Sequence, residues 1–410
     1  MYFMAIGDVY KLHMESIAPG GDALGRFDGK PVFVEGGAPD EIVCCRITDE
    51  RKTWARAELL EIIEPSTSRV ESACAFYGKC GGCNLQHIDY DTQLAVKAAI
   101  LKDSLLRIGG LQPPGLTASE AADSGQCSLM PEVFSSPPWE YRNRMQFHCF
   151  RQNVQKDCSL KFGLMGRRSG EIIAVSDCPV AAPKIREHLR SGGNGILLPP
   201  EKDRFTVFSK DEVLLNEGGQ CKGKIKLLEK EIVLDAGVFF QSNCFMLEKL
   251  ILELQKIAED VGIDAGQNAA MADLYCGVGT FAVFLGEVFP KLILAEENKS
   301  AVSLARENLR RASAEFFALR DTDWQRAFLR QRAAFGFAVV DPPRAGLAPK
   351  LAAALAQDGP PVLAYVSCDP ASLARDAKIL INGGYGLNKL MLFDFYPQTA
   401  HIESLAVFER

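Results

Sequence analysis

The sequence contains no uninterrupted apolar stretch near the roughly 20 residues a membrane-spanning helix needs, which excludes a helical membrane protein. It shows no basic segment followed by an apolar run at its start (MYFMAIGDVYKLHMES), so no secretory signal is expected and the chain reads as cytoplasmic. It also lacks an excess of basic residues: 46 Lys and Arg stand against 52 Asp and Glu, a formal charge of −6. Overall charge does not announce a nucleic-acid partner, and any basic surface has to be local. No internal repeat is present.

What the chain does have is a core. Its 410 residues are 47% hydrophobic and 24% charged, which excludes disorder, fibrous proteins and small disulfide scaffolds, and its length suggests two or three domains. Thirteen cysteines is a high, odd count for a reducing compartment. There, clustered cysteines point to metal or catalysis more than to disulfides.

Residues 1–64 alternate apolar and polar positions between glycine turns. Strands are expected over 7–14, 30–34, 41–49 and 54–63, forming a small antiparallel barrel. The Pro65-Ser66-Thr67-Ser68 stretch reads as a boundary. A cysteine-bearing loop follows, then a helix over 90–108 closed by Gly109-Gly110. Residues 111–137, rich in proline and small side chains, read as a loop. The region 139–234 reads as mixed and strand-rich, broken at 191–195. Beyond Met246 a helix over 247–261 precedes continuous apolar strands over 269–275, 292–295, 338–340 and 362–366, alternating with helices. Such runs belong to a parallel sheet covered on both faces, so the C-terminal region is expected to be a doubly wound α/β domain.

The strand–turn–helix Asp273-Leu274-Tyr275-Cys276-Gly277-Val278-Gly279-Thr280-Phe281 is the sharpest local signal. Gly277 and Gly279 permit a tight turn and close approach of the backbone to a ligand. Glu296 ends the next strand, 19 residues beyond Gly277, where a carboxylate suits two ribose hydroxyls. The third glycine of the dinucleotide fingerprint is missing, since Ala282 and Val283 occupy that zone. This favours a nucleoside cofactor without phosphates, S-adenosylmethionine, over NAD. Asp341-Pro342-Pro343-Arg344 ends another strand sharply, leaving Asp341 at the carboxyl edge where open α/β sheets bind ligands. The strand 362–366 delivers Cys368 to the same edge, followed by Asp369-Pro370; a thiol there is available for nucleophilic catalysis, although buried cysteines are commonly inert. Two last strands, 390–395 and 404–408, flank a loop ending in Glu403. If the final strand runs antiparallel to the others, Glu403 joins Cys368 and Asp341; taken alone it reads as a solvated loop carboxylate.

The cysteines Cys74, Cys80 and Cys83 fall within ten residues, among Gly78, Gly81 and Gly82. Three thiols with a distant fourth suit an iron–sulfur cluster at least as well as zinc, and Cys178, followed by Pro179, is the best fourth ligand. Between Trp139 and Arg168 seven Lys and Arg face two acidic residues, interleaved with Tyr141, Phe147, Phe150 and Phe162. That mixture suits phosphate contact and base stacking, and suits equally a sheet with one solvated face.

The segments Asp341-Pro-Pro-Arg-Ala-Gly346, Ser367-Cys368-Asp-Pro370, His401-Ile-Glu-Ser404 and Phe239-Phe240-Gln241-Ser-Asn243 resemble those of the RNA uracil-C5 methyltransferases that make 5-methyluridine. The resemblance covers essentially the whole chain and implies three parts. These are a TRAM-like RNA-binding barrel (1–64), a central α+β iron–sulfur domain (65–240, with its helix against the catalytic domain), and a Rossmann-like methyltransferase domain (241–410). It implies Cys368 as nucleophile and Glu403 as base, with Gln241, Tyr275, Thr280, Glu296, Asp321 and Asp341 contacting S-adenosylmethionine. Its branch acting on 23S ribosomal RNA carries the Cys-x5-Cys-x2-Cys pattern with a later Cys-Pro. That branch binds a [4Fe-4S] cluster, which assigns Cys74, Cys80, Cys83 and Cys178 as ligands. The remaining cysteines (44, 45, 127, 149, 158, 221, 244 and 276) are expected to be packing residues. The implied partner is ribosomal RNA, with no membrane, no obligate protein partner and a monomeric state. Asp369 stands where the family usually has Asn, and 111–137 is an insertion. The alternatives are transfer RNA as substrate, methylation of an exocyclic amino group (which needs no thiol), and a non-catalytic RNA-binding iron–sulfur protein.

Overall fold

The computed structural model describes residues 4–111, 129–154, 157–193, 202–265, 270–321, 323–324 and 335–410. Five strands, β1 (Val9–Ile17), β2 (Ala23–Phe27), β3 (Lys30–Val34), β4 (Ile42–Glu50) and β5 (Ala55–Glu64), close into a barrel in the order β1-β2-β3-β5-β4. Alternate residues fill it, among them Met14, Val32, Val34, Val43 and Ile47. β2 was not expected from the sequence, because Gly25 and Arg26 interrupt a run of only five residues.

Helix α1 (Tyr90–Arg107), capped by the Asp89 carboxylate on Thr92 N–H, buries Ala98, Ile100, Leu101 and Leu105 in a core shared with the C-terminal sheet. The expected loop 111–137 is corrected at one point: Glu132–Phe134 forms β6, a short parallel strand at the edge of that sheet, where Phe134 stacks on Phe393. The rest of that insertion (112–128) lies outside the described residues, as do Cys127 and part of the expected break at 191–195.

The middle of the chain builds a five-stranded sheet, order β11-β10-β7-β8-β9, from β7 (Arg144–Val154), β8 (Asp157–Met165), β9 (Ile172–Ile173), β10 (Arg204–Lys210) and β11 (Val213–Asn216). Helix α2 (Pro183–Arg190) follows β9, and a hairpin of β12 (Lys222–Leu227) and β13 (Lys230–Asp235) follows β11.

The C-terminal elements are α3 (Cys244–Ala265), β14 (Ala270–Leu274), α4 (Thr280–Leu285), β15 (Lys291–Glu296), α5 (Lys299–Asn308), β16 (Ala314–Ala318), β17 (Phe335–Val340), α6 (Pro349–Asp358), β18 (Val362–Ser367), α7 (Pro370–Asn382), β19 (Gly386–Phe393) and β20 (Glu403–Glu409). The sheet order is β16-β15-β14-β17-β18-β20-β19-β6. β14 and β17 are buried along their whole length, as the continuous apolar runs required. The order reverses between β14 and β17, which opens a crevice at the carboxyl ends of both strands. β20 runs antiparallel to β18 with Ser404 opposite Ser367, so the start of the last strand does lie at that edge.

The loop leading into β20 is held from below. Lys97 and Asp394, both fully buried, pair at 2.6 Å, and Lys97 also donates to the Tyr396 carbonyl at 3.0 Å. Gln93 accepts from Gln398 N–H at 2.8 Å, and Asn84 accepts from Ala400 N–H at 2.9 Å.

Candidate active site

A cavity of about 700 Å³ opens at the crevice and is lined by Gln241, Tyr275, Glu296, Asp321, Asp341, Cys368 and Glu403. The sheet brings these residues together from sequence positions 162 apart, because β17, β18 and β20 are neighbours. Thr280 is the one expected cofactor residue outside the lining; it opens α4 behind the glycine turn.

At one end the turn after β14 is tight. Tyr275, with φ of 64°, takes a left-handed conformation that a non-glycine side chain adopts only at a cost. Its hydroxyl donates to Asp321 at 3.3 Å, and its ring meets Trp324 edge-on with centroids 4.4 Å apart. Glu296 accepts from Gly277 N–H at 3.2 Å and from Asn298 N–H at 2.7 Å. A carboxylate has about four acceptor positions, so two remain for ligand hydroxyls.

At the other end Gln241 Nε2 donates to Asp341 at 3.3 Å. Burial raises the Asp341 carboxyl to about 7, against the pull of that hydrogen bond. Glu403 is buried, and its Oε1 has no hydrogen-bond partner among the described residues. Desolvation first, and the Asp341 charge second, push its pKa well above the usual carboxylate range. Burial and the carboxylates of Glu403 and Asp341 push the Cys368 thiol up to about 12, while the Arg344 guanidinium draws it back. Asp369 caps α7, accepting from Ser372 N–H at 2.7 Å. Asp and Asn cap helices about equally well, so the departure from the family pattern leaves this turn intact.

A second cavity, about 440 Å³, is lined by all four expected cluster ligands, Cys74, Cys80, Cys83 and Cys178, with Gly81 and Gly82 in its wall. Among the described residues no three His, Cys, Asp or Glu side chains converge tightly enough to hold a metal ion. Burial raises the Cys80 and Cys83 thiols and lifts Cys178 to about 12. The thiol loop is bonded to the β8–β9 turn through Gly81 N–H to Met165 (2.9 Å) and Arg167 N–H to the Lys79 carbonyl (2.7 Å). That turn reaches the barrel: Arg168 pairs with Asp22 at 2.8 Å, and Arg167 and Arg168 both pair with Glu35.

The expected RNA-stacking aromatics need correction. Tyr141 and Phe147 are fully buried; Phe162 packs edge-on against Phe147 in the sheet's core, and Tyr141 donates from its hydroxyl to the Pro397 carbonyl. Strand period two turns Met145 and Phe147 inward and sets Arg144, Gln146 and His148 on the opposite face. Phe239 is exposed, with the Arg144 guanidinium 5.7 Å from its ring centre. Of the other cysteines, Cys45, Cys244 and Cys276 are buried; the Cys158 side chain lies outside the described residues. The sequence reasoning did not single out Trp324, Asn298 or Arg142 as lining residues. Only the local excess of basic residues hinted at Arg142.

A doubly wound sheet, a glycine turn facing an acidic residue on the next strand, and a part-buried thiol at the same edge define the class: an S-adenosylmethionine-dependent methyltransferase. Residues 222–410 match the tRNA (Uracil-5-)-methyltransferase family and residues 5–60 the TRAM domain. An uncharacterised RNA methyltransferase of Treponema denticola is 32% identical over 399 residues, covering 93% of this chain and 94% of its own. The 23S rRNA (uracil(1939)-C(5))-methyltransferase RlmD of Pseudomonas putida is 30% identical over 453 residues, covering 98% and 94%. The Pyrococcus abyssi tRNA (uracil-54, C5)-methyltransferase, solved with S-adenosyl-L-homocysteine, shares the fold with a TM-score of 0.70 at 22% identity, over 97% of this chain and 100% of that one. The chain belongs to the RNA uracil-C5 methyltransferase family and is an S-adenosylmethionine-dependent enzyme acting on RNA. No helix among the described residues is long and apolar enough to cross a membrane.

Proposed function

We propose that this enzyme methylates C5 of a uridine in 23S ribosomal RNA through a covalent bond between Cys368 Sγ and C6 of the uracil. The observation that carries the mechanism is the placement of Cys368, Glu403 and Asp341 on three adjacent strands, in the cavity that also holds Glu296. Uracil C5 is too weak a nucleophile to take a methyl group unaided. Attack of the Cys368 thiolate on C6 moves the electron pair onto C5 and the neighbouring carbonyl, one hard step becoming two easier ones. S-adenosylmethionine, bound beside it, supplies an electrophilic methyl group. Glu403 then removes the C5 proton, the electron pair returns to the C5–C6 bond, and the Sγ–C6 bond breaks. Burial raises the Glu403 pKa, which makes its carboxylate a stronger base but leaves the resting group protonated, so Glu403 takes the C5 proton only after releasing its own to solvent. A uridine stacked in RNA must first leave its neighbours to reach so enclosed a thiol.

Tyr275, Asp321 and Glu296 form the end of the cavity suited to the nucleoside part of the cofactor, with Gln241 and Asp341 between it and the thiol. Glu296→Ala is expected to weaken S-adenosylmethionine binding about 10- to 100-fold, the loss of hydrogen bonds to a charged group. RNA affinity should be unchanged. Calorimetric titration checks both, and wild-type cofactor affinity would remove Glu296 from the site.

Ribosomal RNA as the substrate is supported by the full-length relatives of that specificity and by the thiol cavity. The four thiols fit a [4Fe-4S] cluster in donor type and in room. Cys74, Cys80, Cys83 and Cys178 would hold it as thiolates; the group supplies electron-transfer capacity that the methylation does not use. The reading puts the enzyme in the cytoplasm with its RNA. Mapping 5-methyluridine in RNA from a strain lacking the gene tests it: a 23S position should lose the methyl group, and loss confined to transfer RNA would sink the assignment.

A further inference from the structure

The two cavities share a wall made of Gly81, Gly82 and Arg142. Arg142 is the one charged residue in it, and its backbone is stitched to both sides. Its N–H donates to Val180 at 2.8 Å and its carbonyl accepts from Ala182 N–H at 2.9 Å, just past Cys178. It forms a bridge with Asn243, two residues beyond Gln241 of the reaction cavity, and the next residue, Asn143, donates from its N–H to the Ser242 carbonyl at 2.6 Å. The Arg142 charge is felt by Cys83 and Cys178 on one side and by Tyr396 on the other. The groups that act most strongly on its charge are Tyr141, Cys178, Cys83 and Tyr396, and among the described residues no carboxylate lies within salt-bridge distance of it. The side chain is part-buried, with Nε donating to the Arg144 carbonyl at 3.4 Å. A guanidinium drawn out of water is favoured by a counter-charge, and groups filling the two cavities can supply one.

We infer that Arg142 is the positioning residue through which the thiol cavity acts on RNA: ligated thiolates hold its guanidinium from one side, and an oxygen of the target nucleotide accepts from it on the other. The inference rests on the proposed reading of the four thiols as cluster ligands and of the larger cavity as the uridine site. It gives the cluster a role that no step of the reaction needs, since the fixed charge of the thiolates orients a cation that lines both cavities. Arg suits this place better than Lys, because its planar fork donates in two directions at once.

The test is a double-mutant cycle on binding of a 23S ribosomal RNA transcript, using Arg142→Gln, Cys80→Ala and the pair. Each single change should weaken RNA binding about tenfold or more, and the pair should be no weaker than the worse single. Arg142→Gln should keep its iron, measured chemically and by absorbance, and Arg142→Lys should recover part of the loss. S-adenosylmethionine affinity, unchanged throughout, reports an intact fold. Should Cys80→Ala fail that control, removing iron with a chelator from wild-type and Arg142→Gln protein closes the same cycle. The salt dependence names the acceptor: a slope reduced by about one marks a phosphate oxygen, an unchanged slope a uracil carbonyl. Losses that multiply, or wild-type RNA binding by Arg142→Gln, overturn the inference while leaving the uridine chemistry standing. Wild-type protein purified anaerobically without iron overturns it together with the cluster reading.

Discussion

Cys368→Ala protein is expected to lose methyl transfer by at least about ten-thousand-fold, the scale on which removing a covalent nucleophile acts, while binding S-adenosylmethionine as before. Glu296 and Tyr275, at the far end of the cavity, are untouched by the change. RNA carrying 5-fluorouridine should form a stable adduct with the wild-type enzyme, because fluorine leaves no C5 proton for Glu403 to take. The Cys368→Ala protein should form none, which gel electrophoresis under denaturing conditions reads directly. Full turnover without the thiol would instead favour methylation of an exocyclic amino group. The rate of adduct formation should also rise with pH. The thiol is pushed up to about 12 by burial and by two carboxylates, so the reactive thiolate fraction grows about tenfold per pH unit around neutrality. A rate that is flat from about pH 6 to 8.5 would mean that thiolate formation does not limit attack.

Glu403→Gln should separate the two halves of the reaction. Attack on C6 and methyl transfer need only the thiol and the cofactor, whereas release needs a base at C5. Turnover is expected to fall by about a hundred- to ten-thousand-fold, with methylated RNA accumulating as a covalent complex on natural uridine. Fast turnover, or an inactive protein that never binds RNA covalently, would take the base role away from Glu403. The same substitution should stabilise the fold. The buried carboxyl keeps a proton that the unfolded chain releases above about pH 4.3, so this group costs stability increasingly as pH rises toward its folded pKa. Glutamine has no charge to bury. The gain in melting temperature should therefore be larger at about pH 8 than at about pH 5; a loss of stability at both would show that the wild-type carboxylate is compensated.

Much of the site was legible because its residues sit where strands end. Asp341 and Cys368 each follow an apolar run and precede proline, and Glu296 follows the run after the glycine turn. Strand ends at the carboxyl edge of an α/β sheet are where ligands bind, so position in the pattern carried the chemistry. Gln241, Tyr275, Thr280 and Asp321 were reached as cofactor contacts only through resemblance to a family, whereas the four thiols were legible from their spacing and only the choice of iron–sulfur over zinc came from the resemblance. The RNA surface was read less well. Tyr141 and Phe147 are aromatic and lie among basic residues, but strand alternation turned Phe147 into the core, and Tyr141 is buried before that strand with its hydroxyl on the Pro397 carbonyl. β2 and β6 escaped notice because runs of five and three residues carry too little periodicity.

By itself the sequence determined the local geometry: which stretches are buried on both faces, where a glycine turn must fall, and which thiols cluster within ten residues. These depend on neighbours along the chain. Whether Glu403 is a solvated loop carboxylate or a buried carboxyl was decided only by the tertiary structure, through the antiparallel entry of β20 beside β18 and the buried Lys97–Asp394 pair under the loop before it. The same holds for Arg142, whose place between two cavities depends on its bridges to Ala181 on one side and Asn243 on the other. Burial and charge fields arise from what lies across space, and no pattern read along the chain contains them.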